Sequence, residues 1–368
     1  MKTLFCLLTL SLSAFAGVSV SSPTTGSTDS SPVHFVASAT TTCSGGVASM
    51  GIYTAPSVLA YTVAGASLNT SLTLGAGTYN TVVQEWDKCG GASKTPITIT
   101  VSGGTTTVPA SSHVFLLVEE NHSYSSVIGS SSMPYLNGLA SKYGLATQYY
   151  ANTHPSIGNY FMMTTGAIIT NNDSMCSTIS NDNVVRHLMT AGKTWKSYAE
   201  GLPSVGYTGC GSGSYAKKHN PFAFFSDVAN SSSEKNNLVP FTQFSKDLAS
   251  NALPNFSFIV PNLNDDAHDG TLAQADGWLK TNIAPLISSA TFQKDGILVI
   301  VFDESVDSDT AHGGGHVAAV VIGPKVKGGS RPTTLYQHQS TLKTLMEALG
   351  VKTFPGAAGS AQPITGVF

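Results

Sequence analysis

The strongest indication of the fold is an apolar run that ends in acidic residues: Val114-Phe115-Leu116-Leu117-Val118 passes directly into Glu119-Glu120-Asn121-His122. Three more apolar runs follow, Phe256–Val260, Gly296–Phe302 and Val317–Ile322. A strand that is apolar at every position, rather than at alternate positions, is typical of a parallel sheet buried on both faces. Each run therefore predicts one strand of such a sheet.

Helices are predicted between these strands, over Asn183–Ala191, Thr271–Ser288 and Gln337–Leu349. Strands that alternate with helices are typical of an α/β domain, in which helices cover a sheet. We therefore predict that residues 113–368 form an α/β domain with a largely parallel sheet flanked by helices.

The residues before this domain have another pattern. Short stretches rich in β-branched and aromatic residues are separated by Gly and Ser turns, which predicts a small all-β sandwich over residues 32–102. The stretches are Val33–Val36, Leu59–Val63, Thr81–Trp86 and Ile97–Val101. They resemble the bacterial immunoglobulin-like modules found on exported enzymes, although Trp86 lies only three residues before Cys89.

Two segments have the composition of linkers. Residues 17–31 consist largely of Ser, Thr, Gly and Pro, and residues 103–112 begin with Gly103-Gly104 and contain Pro109. Both compositions favour connecting chain over packed structure. We predict linkers over both ranges.

The first sixteen residues are typical of a secretory signal peptide. Met1–Ala16 combines a charge at Lys2, an apolar run over Leu4–Leu12 and small residues before Gly17. The run is too short for a transmembrane anchor. We therefore predict a protein that is secreted, to the periplasm or the extracellular space, without stable insertion in a membrane.

Removal of this peptide takes away Cys6 and leaves four cysteines. An even number in an exported chain predicts two disulfides. Three pairings are possible, and local spacing favours Cys43–Cys89 and Cys176–Cys210. Four free thiols are the alternative, whereas a zinc site is disfavoured because no two of these cysteines have the close spacing of zinc ligands.

The charge of the chain excludes two classes of partner. The chain has 18 Lys and Arg against 21 Asp and Glu, a formal net charge of −3, and only 11% of its residues are charged. It offers no basic region for a nucleic-acid backbone and no polybasic stretch for an anionic membrane. Neither partner is expected.

Acidic residues follow three of the predicted strands, as Glu119-Glu120, Asp265-Asp266 and Asp303-Glu304. Ligands of open α/β sheets bind where the strands end. A single Asp there is often a helix cap, but several acids at one edge repel one another unless a cation holds them. We therefore predict a metal site, with three unrelated caps as the alternative. Oxygen ligands suit Mg²⁺, Ca²⁺ or Mn²⁺, and nearby histidines leave Zn²⁺ open.

Ser156 follows Pro155 at a predicted loop-to-helix junction, within Asn152–Phe161. Free backbone N–H groups at such a junction favour an anion. Ser156 has two interpretations that do not exclude each other, a helix N-cap and a nucleophile. The local sequence by itself favours the cap.

Several blocks, in the same order, resemble the secreted phosphoesterase family of bacterial and fungal acid phosphatases and non-specific phospholipases C. This family is a branch of the alkaline-phosphatase-like superfamily. The resemblance covers about residues 113–350 and leaves out the amino-terminal β module. The blocks are Glu120–Tyr124, His154–Tyr160, Pro261–Asp269, Asp303-Glu304, His316 with Ile322–Pro324, and Tyr336–Ser340.

The resemblance implies a role for each matching residue. Ser156 is the nucleophile, and Asn159 helps to hold a phosphoryl oxygen. The implied metal ligands are Glu120, Asn121, Ser156, Asp303 and Glu304. His268 and His316 are implied to shuttle protons or contact phosphate, and Asn121, His154, Asp266 and Asp269 are implied to bind substrate.

Two residues depart from the family pattern. Two-zinc relatives have His at the position of Glu304. The carboxylate here favours an oxygen-rich centre, which a single metal ion can occupy. Family members often have Pro at the position of Gly158.

The remaining histidines and loops carry weaker expectations. Residues 195–198 and 210–219 are predicted to form a lid beside the site, and residues 312–316 to form a glycine-rich turn that delivers His316. His312 stays unassigned. Ordinary structural hydrogen bonds are expected for His34, His113, His187 and His219.

Together these observations predict an exported, metal-dependent hydrolase of small phosphate esters, of the acid phosphatase type, that acts on monoesters through a phosphoserine intermediate. Two alternatives stay open. One is a phospholipase C that cleaves a diester headgroup, and the other is a surface protein that binds an anion or a glycan without turnover. The β module is a candidate for binding a surface or glycan.

Overall fold

The computed structural model describes residues 17–72, 74, 77–102 and 107–368. The chain divides into two compact units, the first ending at Thr106 and the second spanning Thr107–Phe368. The predicted signal peptide lies outside the described residues, as do residues 103–106 of the predicted connector. Within the described part of the chain, no helix combines the length and the apolar character needed to cross a bilayer.

The first unit consists of two sheets that share one core. Its strands are β1 (Gly17–Ser22), β2 (Thr28–Ser30), β3 (Val33–Thr40), β4 (Val47–Ala55), β5 (Val58–Ala64), β6 (Ser67–Leu72), β7 (Gly77–Asp87) and β8 (Ala92–Ser102). The sheet orders are β1-β3-β6 and β2-β8-β7-β4-β5. Phe35 and Leu68 of the first sheet and Met50, Val83 and Ile99 of the second are buried in the same cluster. The predicted sandwich has this arrangement of strands, and its immunoglobulin-like character stays a prediction.

The linker predicted over residues 17–31 is wrong, because this segment contributes strands to both sheets. β1 pairs antiparallel with β3, and β2 pairs parallel with β8. Only Val18 and Val20 of β1 pack against the core. A strand at the edge of a sheet is held largely by backbone hydrogen bonds, so a Ser- and Thr-rich composition does not exclude it.

Both predicted disulfides are present. Cys43–Cys89 joins the turn after β3 to the turn after β7, and Cys176–Cys210 joins two loops of the second unit.

The second unit is an α/β domain. Its strands are β9 (Val114–Glu119), β10 (Gly144–Leu145), β11 (Tyr149–Tyr150), β12 (Trp195–Ala199), β13 (Gly211–Ser212), β14 (Tyr215–Ala216), β15 (Leu238–Pro240), β16 (Phe256–Val260), β17 (Ile297–Phe302), β18 (Ala319–Ile322) and β19 (Tyr336–Gln337). Its helices are α1 (Tyr124–Val127), α2 (Pro134–Lys142), α3 (Ser156–Thr165), α4 (Val184–Thr190), α5 (Ser226–Ala229), α6 (Thr242–Ala249), α7 (Leu272–Ser288), α8 (Ala290–Asp295) and α9 (His338–Ala348). The three helices predicted from the sequence correspond to α4, α7 and α9, and Asn183 and Thr271 cap the first two.

The central sheet is mixed, with the order β10-β18-β17-β9-β16-β12-β15. The five strands from β17 to β15 are parallel, so the prediction of a largely parallel sheet is confirmed. The run predicted over Val317–Ile322 does form a strand, but β18 runs antiparallel to β17. Its apolar composition follows from its place between two other strands, where both faces are covered, and this constraint does not depend on strand direction.

The lid predicted over residues 195–198 is also wrong, because Trp195–Ala199 forms β12 between β16 and β15. Lys196 interrupts the apolar pattern of this strand. Its ammonium pairs with Asp247 at 2.5 Å, which compensates for the burial of the charge. Because strands were predicted from uninterrupted apolar runs, a strand that contains a paired lysine was not recognised.

Parallel pairing brings the carboxyl ends of β9, β16 and β17 to one edge of the sheet, and α3 packs nearby with every one of its residues buried. Helix α3 ends at Gly166, whose φ of 66° lies in the left-handed region. A Cβ atom on Gly166 would collide with the carbonyl oxygen of Pro355. Gly166 is therefore required both by backbone conformation and by close packing.

We expect Gly166→Ala to destabilise the second unit more than Gly192→Ala does. Gly192 has nearly the same φ, 67°, but no described atom lies within 4 Å of an added Cβ. In the control, the free energy of unfolding should decrease only by the cost of an alanine in the left-handed conformation, about 1–2 kcal/mol. In Gly166→Ala it should decrease by about 1–3 kcal/mol more because of the collision. Urea unfolding followed by tryptophan fluorescence measures both. Equal losses would show that the packing at Gly166 is not tight.

Candidate functional site

Two buried acids stand at the ends of neighbouring strands. Glu120 follows β9 and Asp303 follows β17, and both side chains are fully buried. Asp303 Oδ1 accepts the N–H groups of Asn121 at 3.1 Å and Glu304 at 2.6 Å. Asn121 has a φ of 61°, so the chain turns sharply just after Glu120. The predicted convergence of acids at this edge is therefore present.

Ser156 lies between two of these carboxylates. It is the first residue of α3, where Pro155 occupies the N-cap position. Its Oγ lies 2.9 Å from Glu120 Oε2 and 3.2 Å from Glu304 Oε1, and the residue is 1% exposed. A hydroxyl has one proton and can donate to only one acceptor at a time. Ser156 does not cap the helix, and its oxygen is held among acidic groups.

His154 contacts the far side of Glu304. His154 Nδ1 lies 2.8 Å from Glu304 Oε2, and His154 Nε2 lies 3.0 Å from the carbonyl oxygen of Asp309. Because a carbonyl oxygen only accepts, Nε2 carries a proton. The exposed Asp307 approaches Nδ1 to 3.9 Å. His154 thus orients Glu304 as well as lining the site.

The acids beside Ser156 strongly oppose one another's ionisation. Burial, reinforced by the charges of Asp303 and Asp266, raises the pKa of Glu120 well above its usual range. Burial also raises the pKa of Asp303, although hydrogen bonds from neighbouring backbone N–H groups lower it. Burial and the charge of Asp303 raise the pKa of Glu304 to about 9. These three groups cannot all be ionised near neutral pH unless a positive charge joins them.

Two side chains contact the other oxygen of Glu120. The Tyr160 hydroxyl donates to Glu120 Oε1 at 2.5 Å, and His219 Nε2 lies 3.3 Å from the same atom. The Tyr160 and His219 rings stack with centroids 5.0 Å apart. Tyr160 follows Ser156 by one turn of α3, so the same helix positions both.

His219 makes the structural hydrogen bond predicted for it and also lies among the acids of the candidate site, where the sequence did not place it. Its Nδ1 lies 3.2 Å from Asp266 Oδ2. Burial lowers the pKa of His219 to about 3, so the ring is neutral; Nδ1–H then donates to Asp266 and the lone pair of Nε2 faces Glu120. A signal for it existed, since Lys217-Lys218-His219 is a basic cluster in a chain with few charges.

His268 and Asp266 connect the site to its rim. Asp266 is buried, and its Oδ1 accepts the N–H of His268 at 2.9 Å. Burial raises the pKa of Asp266 to about 7. The His268 ring is partly exposed, with Nδ1 2.8 Å from Oδ1 of the exposed Asp269. Nε2 lies 3.3 Å from Lys218 Nζ.

The side chain of Asn159 bonds to the loop that precedes Ser156. Its Oδ1 accepts the N–H groups of Asn152 and Thr153, and its Nδ2 donates to the carbonyl of Thr153. These bonds commit the side chain to the loop before Ser156. Asn159 therefore holds the loop before Ser156, and the phosphoryl contact implied for it stays a prediction.

His316 does not join the acids either. Its ring stacks between Tyr124 and Tyr150, with centroids 4.3 and 4.8 Å away, and its Nε2 lies 3.0 Å from the carbonyl oxygen of Thr147. Burial lowers the pKa of His316. His312 lies beside Tyr150 in the same aromatic group. The predicted proton-transfer role of His316 has no support in these contacts.

The arrangement fits a bound divalent cation. Among the described residues, Asp303 Oδ2 and His219 Nε2 are buried polar atoms without a hydrogen-bond partner. Two groups, Glu120–His219–His268 and His154–Glu304–Asp307, each bring their potential ligand atoms within 4.8 Å of one another. With Asp303, these groups offer four carboxylates and three imidazoles, and the His219 nitrogen was not among the ligands predicted from the sequence. Such a set suits Mg²⁺ or Mn²⁺ and also Zn²⁺.

Comparisons with known proteins show that the chain belongs with phosphoesterases. The Phosphoesterase family profile matches residues 130–352. A phosphatidylinositol-3-phosphatase of Mycobacterium tuberculosis is 35% identical over 264 residues, which cover 71% of this chain and 84% of that protein. A probable acid phosphatase of Kluyveromyces lactis is 32% identical over 63% of this chain, and the match spans only 56% of that relative.

One solved structure resembles the fold. A Bacteroides thetaiotaomicron protein described with the metabolism of multiple glycosaminoglycans matches with a TM-score of 0.51 at 11% identity. The match covers 70% of this chain and 82% of that one. At this identity the likeness concerns the fold alone.

We expect the metal-free protein to lose stability as the pH rises. The pKa of Glu304 is raised from 4.5 to about 9 in the folded chain, so folding takes up a proton between these values. The stabilisation is complete below the unfolded pKa and is lost as the pH rises through the folded pKa. Melting temperatures measured in the presence of a chelator should therefore decrease as the pH is raised from about 5 to about 9. Excess Mg²⁺ or Mn²⁺ should restore them at high pH.

Glu304→Gln is the matched variant for this experiment, because glutamine has the shape of glutamic acid without its titration. Its melting temperature without metal should depend less on pH than that of the original chain. An identical pH dependence in both proteins would contradict the assignment to Glu304.

Proposed function

Because the chain belongs to the Phosphoesterase family and is a hydrolase of phosphoric esters, we propose that it is a metal-dependent phosphomonoester hydrolase with Ser156 as its nucleophile. The observation that carries the proposal is the position of Ser156 Oγ, buried between Glu120 and Glu304. The named relatives are phosphatases, which favours monoesters over the phospholipase C alternative.

A divalent cation would be held by Glu120, Asp303, Glu304 and Ser156, with Asn121 and His219 as further candidates. When bound, it would lower the pKa of the serine hydroxyl and offset the negative charge of the phosphoryl group. The buried, unpartnered oxygen of Asp303 and nitrogen of His219 support this assignment.

The side chains around Ser156 account for the remaining steps of the proposed reaction. The Ser156 proton passes to Glu120 or Glu304, both in hydrogen-bond contact with Oγ. Oγ then forms a bond to phosphorus as the bond from phosphorus to the leaving-group oxygen breaks, which yields phosphoserine and an alcohol. His268, at the partly exposed rim, donates a proton to the leaving-group oxygen. Water then forms a bond to phosphorus as the bond from Oγ to phosphorus breaks, which releases phosphate. His268 takes a proton from the water, and Glu120 or Glu304 returns the first proton to Oγ.

We propose in addition that the protein is exported. Its two disulfides support this location, because disulfides persist in oxidising compartments. The signal peptide and the binding function of the β module stay predictions.

Ser156→Ala should lower kcat for p-nitrophenyl phosphate by about 10³-fold or more, because it removes the attacking atom. Ser174→Ala, which changes an exposed serine of the same unit, is the matched control and should leave kcat unchanged. Acid-quenched mass spectrometry of the original chain should detect a phosphorylated peptide that contains residue 156. Turnover that survives in Ser156→Ala would exclude this serine as the nucleophile.

Asp303→Asn should weaken the binding of Mn²⁺ or Zn²⁺ by about tenfold or more, because it removes one buried negative charge. Asp182→Asn, a change at an exposed acid of the same unit, is the control. Isothermal titration calorimetry of chelator-treated protein measures binding without relying on activity. Equal affinities in the two variants would remove Asp303 from the set of ligands.

A further inference from the structure

The side chain of Lys218 places a positive charge beside the acid-rich site. Its Nζ lies 2.7 Å from Asp173 Oδ2 and 3.3 Å from His268 Nε2, and its side chain is only 18% exposed. Burial lowers the pKa of the Lys218 ammonium, but Asp173, Glu120 and Asp303 outweigh this effect and the pKa is raised overall. Lys218 is therefore charged at neutral pH.

Two separate sets of contacts connect Lys218 to the nucleophile. Asp173 holds Lys218 with one oxygen, and with the other it accepts the N–H of Ile157, the residue next to Ser156, at 3.2 Å. His268 holds Lys218 through Nε2, and its ligand atom lies within 4.8 Å of those of Glu120 and His219. Lys218 is thus fixed against both the start of α3 and the acid cluster.

The contact with His268 leaves Lys218 able to exchange partners. An ammonium only donates, so His268 Nε2 accepts from Lys218 and Nδ1–H donates to Asp269. A neutral ring nitrogen is a weaker partner for an ammonium than a charged oxygen. A phosphoryl oxygen can therefore replace Nε2 while Asp173 keeps the ammonium in place, and His268 Nε2 becomes free to carry a proton.

We propose that Lys218 binds the phosphoryl group and makes the site prefer dianionic monoesters to monoanionic diesters. This inference rests on the proposed function and names its substrate class. A phosphomonoester is mostly dianionic at about pH 7, because its second pKa is about 6. A diester carries a single charge. The attraction to a fixed ammonium grows with the charge of the ligand, so loss of Lys218 penalises the monoester more.

The test compares Lys218→Gln with the original chain, using p-nitrophenyl phosphate and bis(p-nitrophenyl) phosphate at about pH 7. We expect kcat/KM for the monoester to fall by about 10- to 100-fold, the range for a charge-assisted hydrogen bond, and kcat/KM for the diester to fall by about threefold or less. Lys218→Arg, which keeps the charge, should recover much of the monoester activity. Lys280→Gln, at an exposed lysine of α7, is the control.

The double variant Asp173→Asn/Lys218→Gln separates binding from folding. It leaves no unpaired carboxylate, and the amide oxygen introduced at position 173 can still accept the N–H of Ile157. If Lys218 had only a structural role, the double variant would regain normal specificity. The proposed role predicts instead that the altered ratio of monoester to diester activity persists. Equal losses for both substrates, or normal specificity in the double variant, would overturn the proposal.

Binding of inorganic phosphate tests Lys218 without turnover. In the Ser156→Ala background, Lys218→Gln should weaken phosphate binding by about tenfold in calorimetry with saturating Mn²⁺. Unchanged phosphate binding would overturn the role of Lys218 even if Ser156 proves to be the nucleophile. If Lys218→Gln weakens phosphate binding but the original chain, with Ser156 intact, hydrolyses neither ester, the role of Lys218 is supported and the proposed function is contradicted.

Discussion

Mutual repulsion between buried carboxylates is the constraint on which the structure of this site depends. Glu120, Asp303 and Glu304 are removed from water and held around one serine oxygen. Their raised pKa values express the cost of ionising them together. A folded chain tolerates such a cluster when protons or cations balance its negative charge. The cluster is surrounded by one ammonium group, Lys218, and by two imidazoles that can take up a proton or a cation, His219 and His154.

The fold provides this cluster with rigid supports. The acids follow β9 and β17, whose pairing brings Glu119 beside Phe302, so their relative positions are fixed by backbone hydrogen bonds. The serine begins α3, a helix buried along its whole length and stopped by Gly166 against the chain at Pro355. Asn159 holds the loop before the serine. The groups of the proposed reaction are thus fixed by elements whose own positions are strongly determined, which is what preorganised catalysis requires.

Much of this arrangement could be predicted from the sequence, and the failures have identifiable causes. Fully apolar runs revealed β9, β16 and β17 together with the acids that follow them, because burial on both faces leaves a clear pattern. β12 was missed because Lys196 is neutralised by Asp247, a partner distant in sequence. The direction of β18 and the strands within residues 17–31 depend on pairing, which composition does not record. The positions of His219 and Asn159 beside Glu120 and the loop before Ser156 are set by contacts across the fold, which the local sequence does not record.

The claim that a divalent cation neutralises the acids around Ser156 is tested most directly by anomalous X-ray diffraction from crystals grown with Mn²⁺. The account predicts an anomalous difference peak bonded to Ser156 Oγ and to the carboxylates of Glu120 and Asp303. A fully ordered site without such a peak, in which the serine oxygen still bonds only to Glu120 and Glu304, would contradict it.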